Sequence, residues 1–411
     1  MDSKTLRCGL LGRTLGHSYS PAIHAQLAEY SYLLYEKEPE ELEHFLRSGE
    51  FDGLNVTIPY KKAVIPYCSE LSETARAIGA VNTIVRRADG TLWGDNTDAY
   101  GFSMLVQSSG AEVRGKKALV FGSGGASATA LHVLRQLGAR EVVVISRHGE
   151  NNYENLDRHT DAEIAVNTTP VGMYPNTGVS PVDLSRFPRL EAALDVVYNP
   201  ARTEFLLQAE RLGLRRANGL LMLVAQAKKS CEDFLGEPIA DARIGAITKA
   251  LAARMQNMIL IGMPGSGKTT IGTRLAAQLG RTFLDADAVL EQKAGMNIPE
   301  IFRREGEEGF RMRETAVLAE LGKQSGLVIA TGGGCVTRPE NYPLLHQNGT
   351  IFCLTRDLSR LPSNGRPVSQ ALGAEEIFRR RKPLYERFAD VMVDNDRTEE
   401  DTVRQILEVL G

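Results

Sequence analysis

The 411-residue chain is bounded first by what it lacks. Its five cysteines, at positions 8, 68, 231, 335 and 353, include no pair at C-x-x-C spacing. That argues against a zinc knuckle or a dithiol redox motif. An odd, scattered set of thiols suits a reducing cytosol, so a cytoplasmic protein is expected. The formal net charge is only −3, so no charge excess favours nucleic acid or an anionic membrane as partner. No apolar run approaches the roughly 18 residues of a membrane span, and the opening MDSKTLRCGLLG lacks the apolar core and cleavage site of a secretory signal. No internal repeat or low-complexity segment is present. His17 and His24 have no metal-ligand grouping around them and read as structural. The remainder is ordinary globular composition, 43% hydrophobic and 24% charged, at a length suited to two or three domains.

Short β-rich runs alternate with helical patterns throughout, which predicts parallel sheets covered by helices. KALVFG (117–122), EVVVI (141–145), IAVN (164–167) and LDVVY (194–198) are expected strands, and MILIG, LVIAT, TIFCL and VMVD take that part after residue 257. Cys8 and Cys353 sit in apolar strand-like runs as small core residues. From Thr398, the residues Val403, Ile406, Leu407 and Leu410 recur at helical spacing, with Thr398 and Asp401 placed for a capping box. The main boundary falls near Gln256, between the amphipathic IGAITKALAARM and the strand-like NMILIG. No Pro/Gly/Ser spacer separates them, so the two halves are expected to abut.

GMPGSGKT matches G-x-x-x-x-G-K-[ST] between an apolar strand and the helical IGTRLAAQL. Glycines let the backbone wrap a polyphosphate, so that N–H groups and a helix N-terminus face the anion. The cradle comprises Gly262, Gly265, Ser266, Gly267, Lys268, Thr269 and Thr270, with Lys268 reaching the β- and γ-phosphates of ATP and Thr269 ligating Mg²⁺. Downstream stand Asp285 and Asp287 beyond a short strand, Arg311 and Glu314 in EEGFRMRE, Gly332–Gly334 at a strand end, Arg366 in NGRPV and Arg381 in RRRKPLYE. A carboxylate pair, a glycine nest and several arginines suit a small anionic acceptor bearing a hydroxyl. Arginine clamps a carboxylate, and an aspartate accepts the proton of the attacking hydroxyl.

These motifs, in this order, make residues 258–411 resemble shikimate kinase. The resemblance implies that Asp287 holds the ring hydroxyls of shikimate and that Asp285 supports the Mg²⁺ shell. Arg311, Arg381 and the turn of Gly332, Gly333 and Gly334 would hold the substrate. Arg366 would swing in on a lid that is compact for the family, and Arg360 would lie near the adenine. On the residues alone Asp285 also fits a helix N-cap, and Arg311 or Arg381 a surface ion pair.

A second glycine turn, VFGSGGASATA, follows a strand and opens a helix, with Gly122, Gly124, Gly125 and Ala126 placed for a dinucleotide pyrophosphate. About 20 residues on, an NAD site carries an acid. Here Ser146 and Arg147 stand instead, which favours the 2′-phosphate of NADP.

Around that turn lie GHSYSPAIH, NVTIPYKK, GAVNT, GDNTDAYG, NTTPVGM, VVYNP and NGLLMLVAQA. Together they make about residues 5–255 resemble shikimate dehydrogenase. The resemblance implies that Ser18 and Ser20 bind the substrate carboxylate, that Thr57, Asn82 and Gln226 reach ring hydroxyls, and that Tyr198 borders the site. Lys61 and Asp98 would be the catalytic pair, Lys62 being the adjacent decoy. A lysine ammonium suits an oxygen on which charge builds as hydride arrives. The bland readings are a solvated surface amine for Lys61 and a turn or N-cap before Pro21 for the serines.

The expected fold class is α/β in three parts: residues 1–100 as a substrate-binding domain completed by a helix near 230–255, 101–229 as a Rossmann-like NADP-binding domain, and 257–411 as a P-loop kinase domain with a parallel sheet. Jointly the resemblances imply a bifunctional enzyme of aromatic amino-acid (chorismate) biosynthesis. It would reduce 3-dehydroshikimate with NADP(H) and phosphorylate shikimate with ATP and Mg²⁺. A quinate-using dehydrogenase, a degenerate half and a P-loop switch are the competing readings. The oligomeric state stays open.

Overall fold

The computed structural model describes residues 6–16, 18–361 and 374–410. His17 and Arg366 therefore lie outside the described residues. Among the described residues sixteen strands form three sheets. In chain order they are β1 Arg7–Gly12, β2 Ser31–Glu36, β3 Gly53–Val56, β4 Glu70–Leu71, β5 Thr83–Arg86, β6 Leu92–Asp95, β7 Lys117–Phe121 and β8 Glu141–Ile145. They continue as β9 Ile164–Asn167, β10 Ala192–Asp195, β11 Arg215–Ala217, β12 Asn257–Gly262, β13 Phe283–Asp285, β14 Val328–Ala330, β15 Gly349–Thr355 and β16 Val391–Asp394.

The first sheet runs β2-β1-β3-β5-β6-β4. It is mixed, which corrects the expectation of parallel sheets throughout: β5 pairs antiparallel with both β3 and β6. The cause is local. Between β5 and β6 lies a tight turn in which Gly90 has φ +85° and Arg87 N–H donates to Thr91 O at 2.8 Å. So short a connection cannot carry the crossover that parallel neighbours need. The second sheet, β11-β10-β9-β7-β8, is parallel throughout. Its strand β10 ends at Asp195 rather than running on to Tyr198, because the Asp195 carboxylate accepts the Val197 N–H at 3.0 Å and turns the chain.

The third sheet, β13-β14-β12-β15-β16, is also parallel. Strand β12 is buried along its whole length. Met258 and Leu260 join one apolar cluster, and Ile259 and Ile261 join another. Alternate side chains on a strand face opposite ways, so both faces are covered. In both parallel sheets the chain leaves a central strand, β7 or β12, and later crosses to the other side. That reversal opens a crevice at the strand's carboxyl end, where α/β sheets bind ligands.

The chain divides into two compact units. The first holds the first two sheets and comprises the chain to Val171, Ser180–Tyr198 and Gln208–Ala250; the second comprises Gly172–Val179, Asn199–Leu207 and the chain from Leu251. Within the second unit, Arg202 N–H donates to Gln347 O at 2.8 Å and Ala201 N–H to Asn348 Oδ1 at 3.1 Å, which ties the 199–207 segment to the turn that leads into β15. The helix Ala242–Met255 runs directly into β12 with only Gln256 between. The last helix, Glu399–Leu410, carries the expected cap: Thr398 Oγ1 donates to Asp401 Oδ2 at 2.9 Å and accepts the Asp401 N–H at 3.1 Å.

Candidate functional site

In the first unit, Lys61 lies in a turn after β3 and Asp98 opens the helix Asp98–Ser109. Their side chains meet, with Lys61 Nζ donating to Asp98 Oδ2 at 2.5 Å. Lys61 is held in place by its own carbonyl, which accepts the Val81 N–H at 2.7 Å. Its neighbour Lys62 is exposed, so the structure separates the pair member from the decoy. Asn82 is 3% exposed. Its Oδ1 accepts the Thr97 N–H at 2.7 Å, the Thr97 hydroxyl at 3.2 Å and the Thr83 hydroxyl at 3.1 Å. With the carbonyl oxygen so occupied, the amide NH₂ is the end left to donate outward. The same network fixes Thr97, the residue before Asp98.

The other expected substrate residues of this unit are each fixed by local contacts. Thr57 is anchored by its N–H to Leu11 O at 2.9 Å. A Cβ on Gly12 would lie 2.8 Å from Thr57 Cγ2, so that glycine is required for the close approach. Ser18 Oγ accepts the Ser20 N–H at 3.2 Å, at the start of the helix Ser20–Leu27. The serines thus do form a turn, as the bland reading has it, and their hydroxyl oxygens sit at a helix N-terminus. Tyr198 is edge-on to Tyr19, ring centres 6.1 Å apart. Gln226 packs beside Gly101, one turn along the helix from Asp98; a Cβ there would stand 3.1 Å from Gln226 Cβ. Its Nε2 donates to Leu223 O within its own helix at 2.8 Å. His24 is structural, stacked on Tyr32 with ring centres 4.0 Å apart, and burial drives its pKa down to about 3.

The first glycine turn follows β7. Gly122 has φ +112°, and a Cβ there would stand 2.7 Å from Thr168 Oγ1. Gly124 and Gly125 face open space, and the helix Gly125–Gln136 begins there, with Ala126 in its first turn. That is a cradle into which a pyrophosphate fits. Ser146 and Arg147 follow the end of β8. The Ser146 hydroxyl bonds the His148 carbonyl, and Arg147 is exposed.

In the second unit the phosphate loop follows β12. Gly262 (φ +141°), Gly265 (+86°) and Gly267 (+92°) all adopt backbone that other residues resist. Lys268 starts the helix Lys268–Leu279, and its Nζ donates to Gly262 O and Met263 O at 3.0 Å each. Ser266 is fully buried, and its carbonyl accepts Asn395 Nδ2 at 2.6 Å. Thr269 Oγ1 donates to Asp285 Oδ2 at 2.8 Å. Asp285 is also the N-cap of the helix Ala286–Ala294, through the N–H groups of Asp287 and Ala288. The N-cap reading of Asp285 therefore holds, and its second oxygen bonds the Thr269 hydroxyl. The Thr269–Asp285 pair beside the loop suits Mg²⁺, whose remaining ligands are ordinarily phosphate oxygens and water. No group of three or more His, Cys, Asp or Glu side chains that could hold a metal ion occurs among the described residues.

A cavity of about 570 Å³ opens from this loop and is lined by Lys268, Asp287, Arg311, Glu314, Gly332–Gly334 and Arg381, with Phe302 and Phe310 on its apolar wall. Arg311 and Arg381 are 6% and 8% exposed, which removes the surface-ion-pair reading. Arg311 Nη1 donates to Glu314 Oε2 at 2.7 Å, and Arg381 Nη1 to Gly333 O at 3.0 Å. The glycines are there because side chains fill their Cβ positions. A Cβ on Gly332 would lie 2.6 Å from Glu314 Oε1 and 2.8 Å from Asp287 Oδ1, and one on Gly334 2.2 Å from Arg311 Nη2. Asp287 Oδ1, Glu314 Oε1 and Arg311 Nε are buried with no hydrogen-bond partner among the described residues. Burial, then the neighbouring Asp285 charge, pushes the Asp287 carboxyl above its usual range, and burial raises that of Glu314. Unsatisfied buried polar atoms cost about 1–3 kcal/mol each, so three around one cavity mark a place where a polar ligand completes them.

The family model described as "Shikimate dehydrogenase substrate binding domain" matches residues 10–84, and the one described as "Shikimate kinase" matches residues 264–411. A shikimate dehydrogenase (NADP(+)) of Clostridium perfringens is 36% identical over 249 residues, covering 56% of this chain and 92% of that protein. The chain belongs to the shikimate dehydrogenase family and carries a shikimate kinase domain in its C-terminal part. Among solved structures, a chorismate mutase/shikimate 5-dehydrogenase fusion from Clostridium acetobutylicum superposes with TM-score 0.57 at 35% identity, over 60% of this chain and 97% of that one. The shikimate 5-dehydrogenase of Thermus thermophilus, in complex with NADP(H) and shikimate, gives 0.55 at 32%, over 60% and 99%. Both enzyme activities thus reside in one polypeptide.

Three site features go beyond the sequence reading. The buried Arg311–Glu314 pair of the kinase domain leaves one oxygen of Glu314 on the cavity. Tyr385 donates its hydroxyl to Gly333 O at 2.5 Å, although R-x-P-L-Y was the visible signal. Arg356 lines the cavity, and a lone arginine after a strand gives no pattern to find. Arg360 is exposed and donates to Asp396 O at 2.6 Å; it is not among the residues lining the cavity. No helix among the described residues is long and apolar enough to cross a membrane.

Proposed function

We propose that the dehydrogenase unit reduces 3-dehydroshikimate to shikimate with NADPH and that the kinase domain phosphorylates the 3-hydroxyl of that product. What carries the paired reading is the trio of orphaned buried groups, Asp287, Glu314 and Arg311, facing a cavity beside a phosphate loop. Their donors and acceptors are complementary to a small polyhydroxylated carboxylate, the class of compound the first unit makes.

In the dehydrogenase, bound NADPH supplies the hydride. Lys61 Nζ protonates the carbonyl oxygen as negative charge builds on it, and Asp98, in contact at 2.5 Å, orients the ammonium and shares its proton. The Asn82 amide and the Thr57 hydroxyl orient the ring, the Ser18 and Ser20 hydroxyls hold the carboxylate, and Tyr198 closes the edge. Gln226 serves a ring hydroxyl after releasing its bond to Leu223 O. Gly122, Gly124, Gly125 and Ala126 seat the pyrophosphate, and Ser146 and Arg147 the 2′-phosphate.

In the kinase, bound Mg·ATP supplies the phosphoryl group. Gly262–Thr270 would cradle the phosphates, Thr269 would ligate Mg²⁺, and Asp285, bonded to Thr269, would support the shell of that ion. Arg311, Arg381 and the glycine turn clamp the carboxylate, and Asp287 accepts the hydroxyl proton. Its raised pKa makes it a better base than an exposed carboxylate.

The test is one incubation of 3-dehydroshikimate, NADPH and Mg·ATP with the intact chain, followed by mass spectrometry and phosphorus NMR. Shikimate 3-phosphate is expected. Unphosphorylated shikimate as sole product, phosphate on another hydroxyl, or a preference for quinate and NAD⁺ in the reverse assay would each reject the corresponding part.

A further inference from the structure

One group lining the kinase cavity has no part in the scheme above. Arg356 is the first residue after β15, the strand that pairs residue for residue with the phosphate-loop strand, Gly262 opposite Leu354. It is half-buried and lines the cavity with Pro264, Lys268, Gly333 and Arg381. Its Nε is buried without a hydrogen-bond partner among the described residues. The acids close to it in sequence are turned elsewhere. Asp357 Oδ1 accepts the Ser359 N–H and hydroxyl at 2.8 and 2.7 Å, and Asp396 Oδ1 accepts the Asp357 N–H at 2.8 Å. A guanidinium edge withdrawn from water and left unpaired is costly, and here it borders a cavity built for anions.

Two anionic groups enter that cavity on the reading above: a carboxylate and a triphosphate. The carboxylate end already has Arg311 and Arg381, packed against Gly334 and Gly333. Arg356 comes instead from the strand alongside the phosphate loop, and its cavity neighbours include Pro264 of that loop. We propose that Arg356 is a fixed cationic contact for the terminal phosphate of ATP, a catalytic residue supplied by a strand end; the assignment rests on the kinase reading above. In the transfer, the substrate oxygen bonds the terminal phosphorus while the bond to the ADP oxygen breaks, and the hydroxyl proton passes to Asp287. Charge spreads over the equatorial oxygens, where a guanidinium already on the cavity wall is placed to meet it.

The test compares Arg356→Gln and Arg356→Lys with wild type in the full-length chain. Calorimetry with a non-hydrolysable Mg·ATP analogue and with Mg·ADP is run beside kinase kinetics. For Arg356→Gln, analogue affinity should fall about tenfold, ADP affinity should move less than about twofold, and kcat should drop at least as far as analogue binding. Retained ADP affinity shows that the domain is folded. Arg356→Lys should keep part of the turnover, and added guanidinium should restore part of it to Arg356→Ala. Equal losses for analogue and ADP, no loss for either, or a rise confined to the KM for shikimate would each overturn the proposal. A wild-type chain that makes no phosphorylated product would instead sink the kinase reading, and the proposal with it.

Discussion

The glycine turn of the kinase cavity offers a sharp test of how the substrate clamp is built. Gly334 has φ −102° and ψ −1°, a conformation open to any residue, so Gly334→Ala introduces no backbone strain. Its effect is the collision alone. The new Cβ would stand 2.2 and 2.3 Å from the two terminal nitrogens of Arg311 and 2.5 Å from Cζ. Regaining ordinary contact at 3.4 Å requires the guanidinium to retreat by about 1 Å, a displacement that by itself can cost a hundredfold in rate. Arg311 is buried on all sides, and its retreat breaks the 2.7 Å bond to Glu314. A charge-assisted hydrogen bond is worth about 1.5–3 kcal/mol, which converts to roughly 10- to 150-fold. The kinase kcat/KM for shikimate should therefore fall within that range at saturating ATP, mostly through KM. Dehydrogenase turnover of the same chain, which shares none of these residues, should stay within about twofold of wild type. A kinase kcat/KM within threefold of wild type would refute the view that Gly334 is glycine because Arg311 needs its space.

Three further outcomes follow from the same geometry. Lys61→Ala should lower dehydrogenase kcat by about 10²–10⁴ while Lys62→Ala changes it less than twofold and kinase turnover is unaffected; equal losses for the two lysines would remove Lys61 from its role. Arg147→Ala should reduce kcat/KM for NADPH by roughly 10- to 100-fold and leave that for NADH nearly unchanged, as read by steady-state assays with both cofactors. The acid limb of kinase kcat/KM against pH should lie above the ordinary carboxylate range, because burial and then the Asp285 charge raise the Asp287 pKa and only the ionised form accepts a proton; a limb at or below about pH 4 would exclude Asp287 as the base.

How much of this was readable beforehand divides by range. Both phosphate cradles were visible because strand, glycine turn and helix are contiguous: β7 leads into Gly122–Gly125 and β12 into Gly262–Thr269. The antiparallel pairing of β5 was not: with β6 it hangs on one turn at Gly90 that the alternation of strand and helix masks, and with β3 it joins strands distant in the chain. Lys61 and Asp98 are 37 residues apart; nothing local joins them, and only the motif resemblance paired them. The grouping of 199–207 with the second unit is likewise a through-space property of Arg202 and Ala201. Asp285 was left between two roles because a single carboxylate has two oxygens: one caps the following helix and the other bonds Thr269.

The two sites keep their reactive groups in opposite states. In the dehydrogenase, Lys61 and Asp98 satisfy each other, and Asn82 has its oxygen saturated by Thr83 and Thr97. In the kinase, Asp287, Glu314 and Arg311 each keep a buried atom unpaired. Stability and function should therefore be in conflict only in the kinase domain. Asp287 is the clearest case. Its folded pKa is raised, so its contribution to stability is fully present below the pKa of an unfolded aspartate and is lost as pH rises through the folded value. Asp287→Asn removes the charge that causes that loss. It also forfeits a favourable acid in the first turn of the helix Ala286–Ala294, worth about 0.3–1 kcal/mol, against the larger cost of holding a charge rather than a neutral amide away from water. The balance favours the variant. Asp287→Asn should unfold later than wild type by about 1 kcal/mol at neutral pH, with the difference shrinking as pH falls through the carboxylate range, while kinase turnover collapses. Denaturation of both chains across that pH range decides it: a variant less stable than wild type at neutral pH would mean that Asp287 is held by interactions that satisfy it, and that the cavity is not waiting for a hydroxyl.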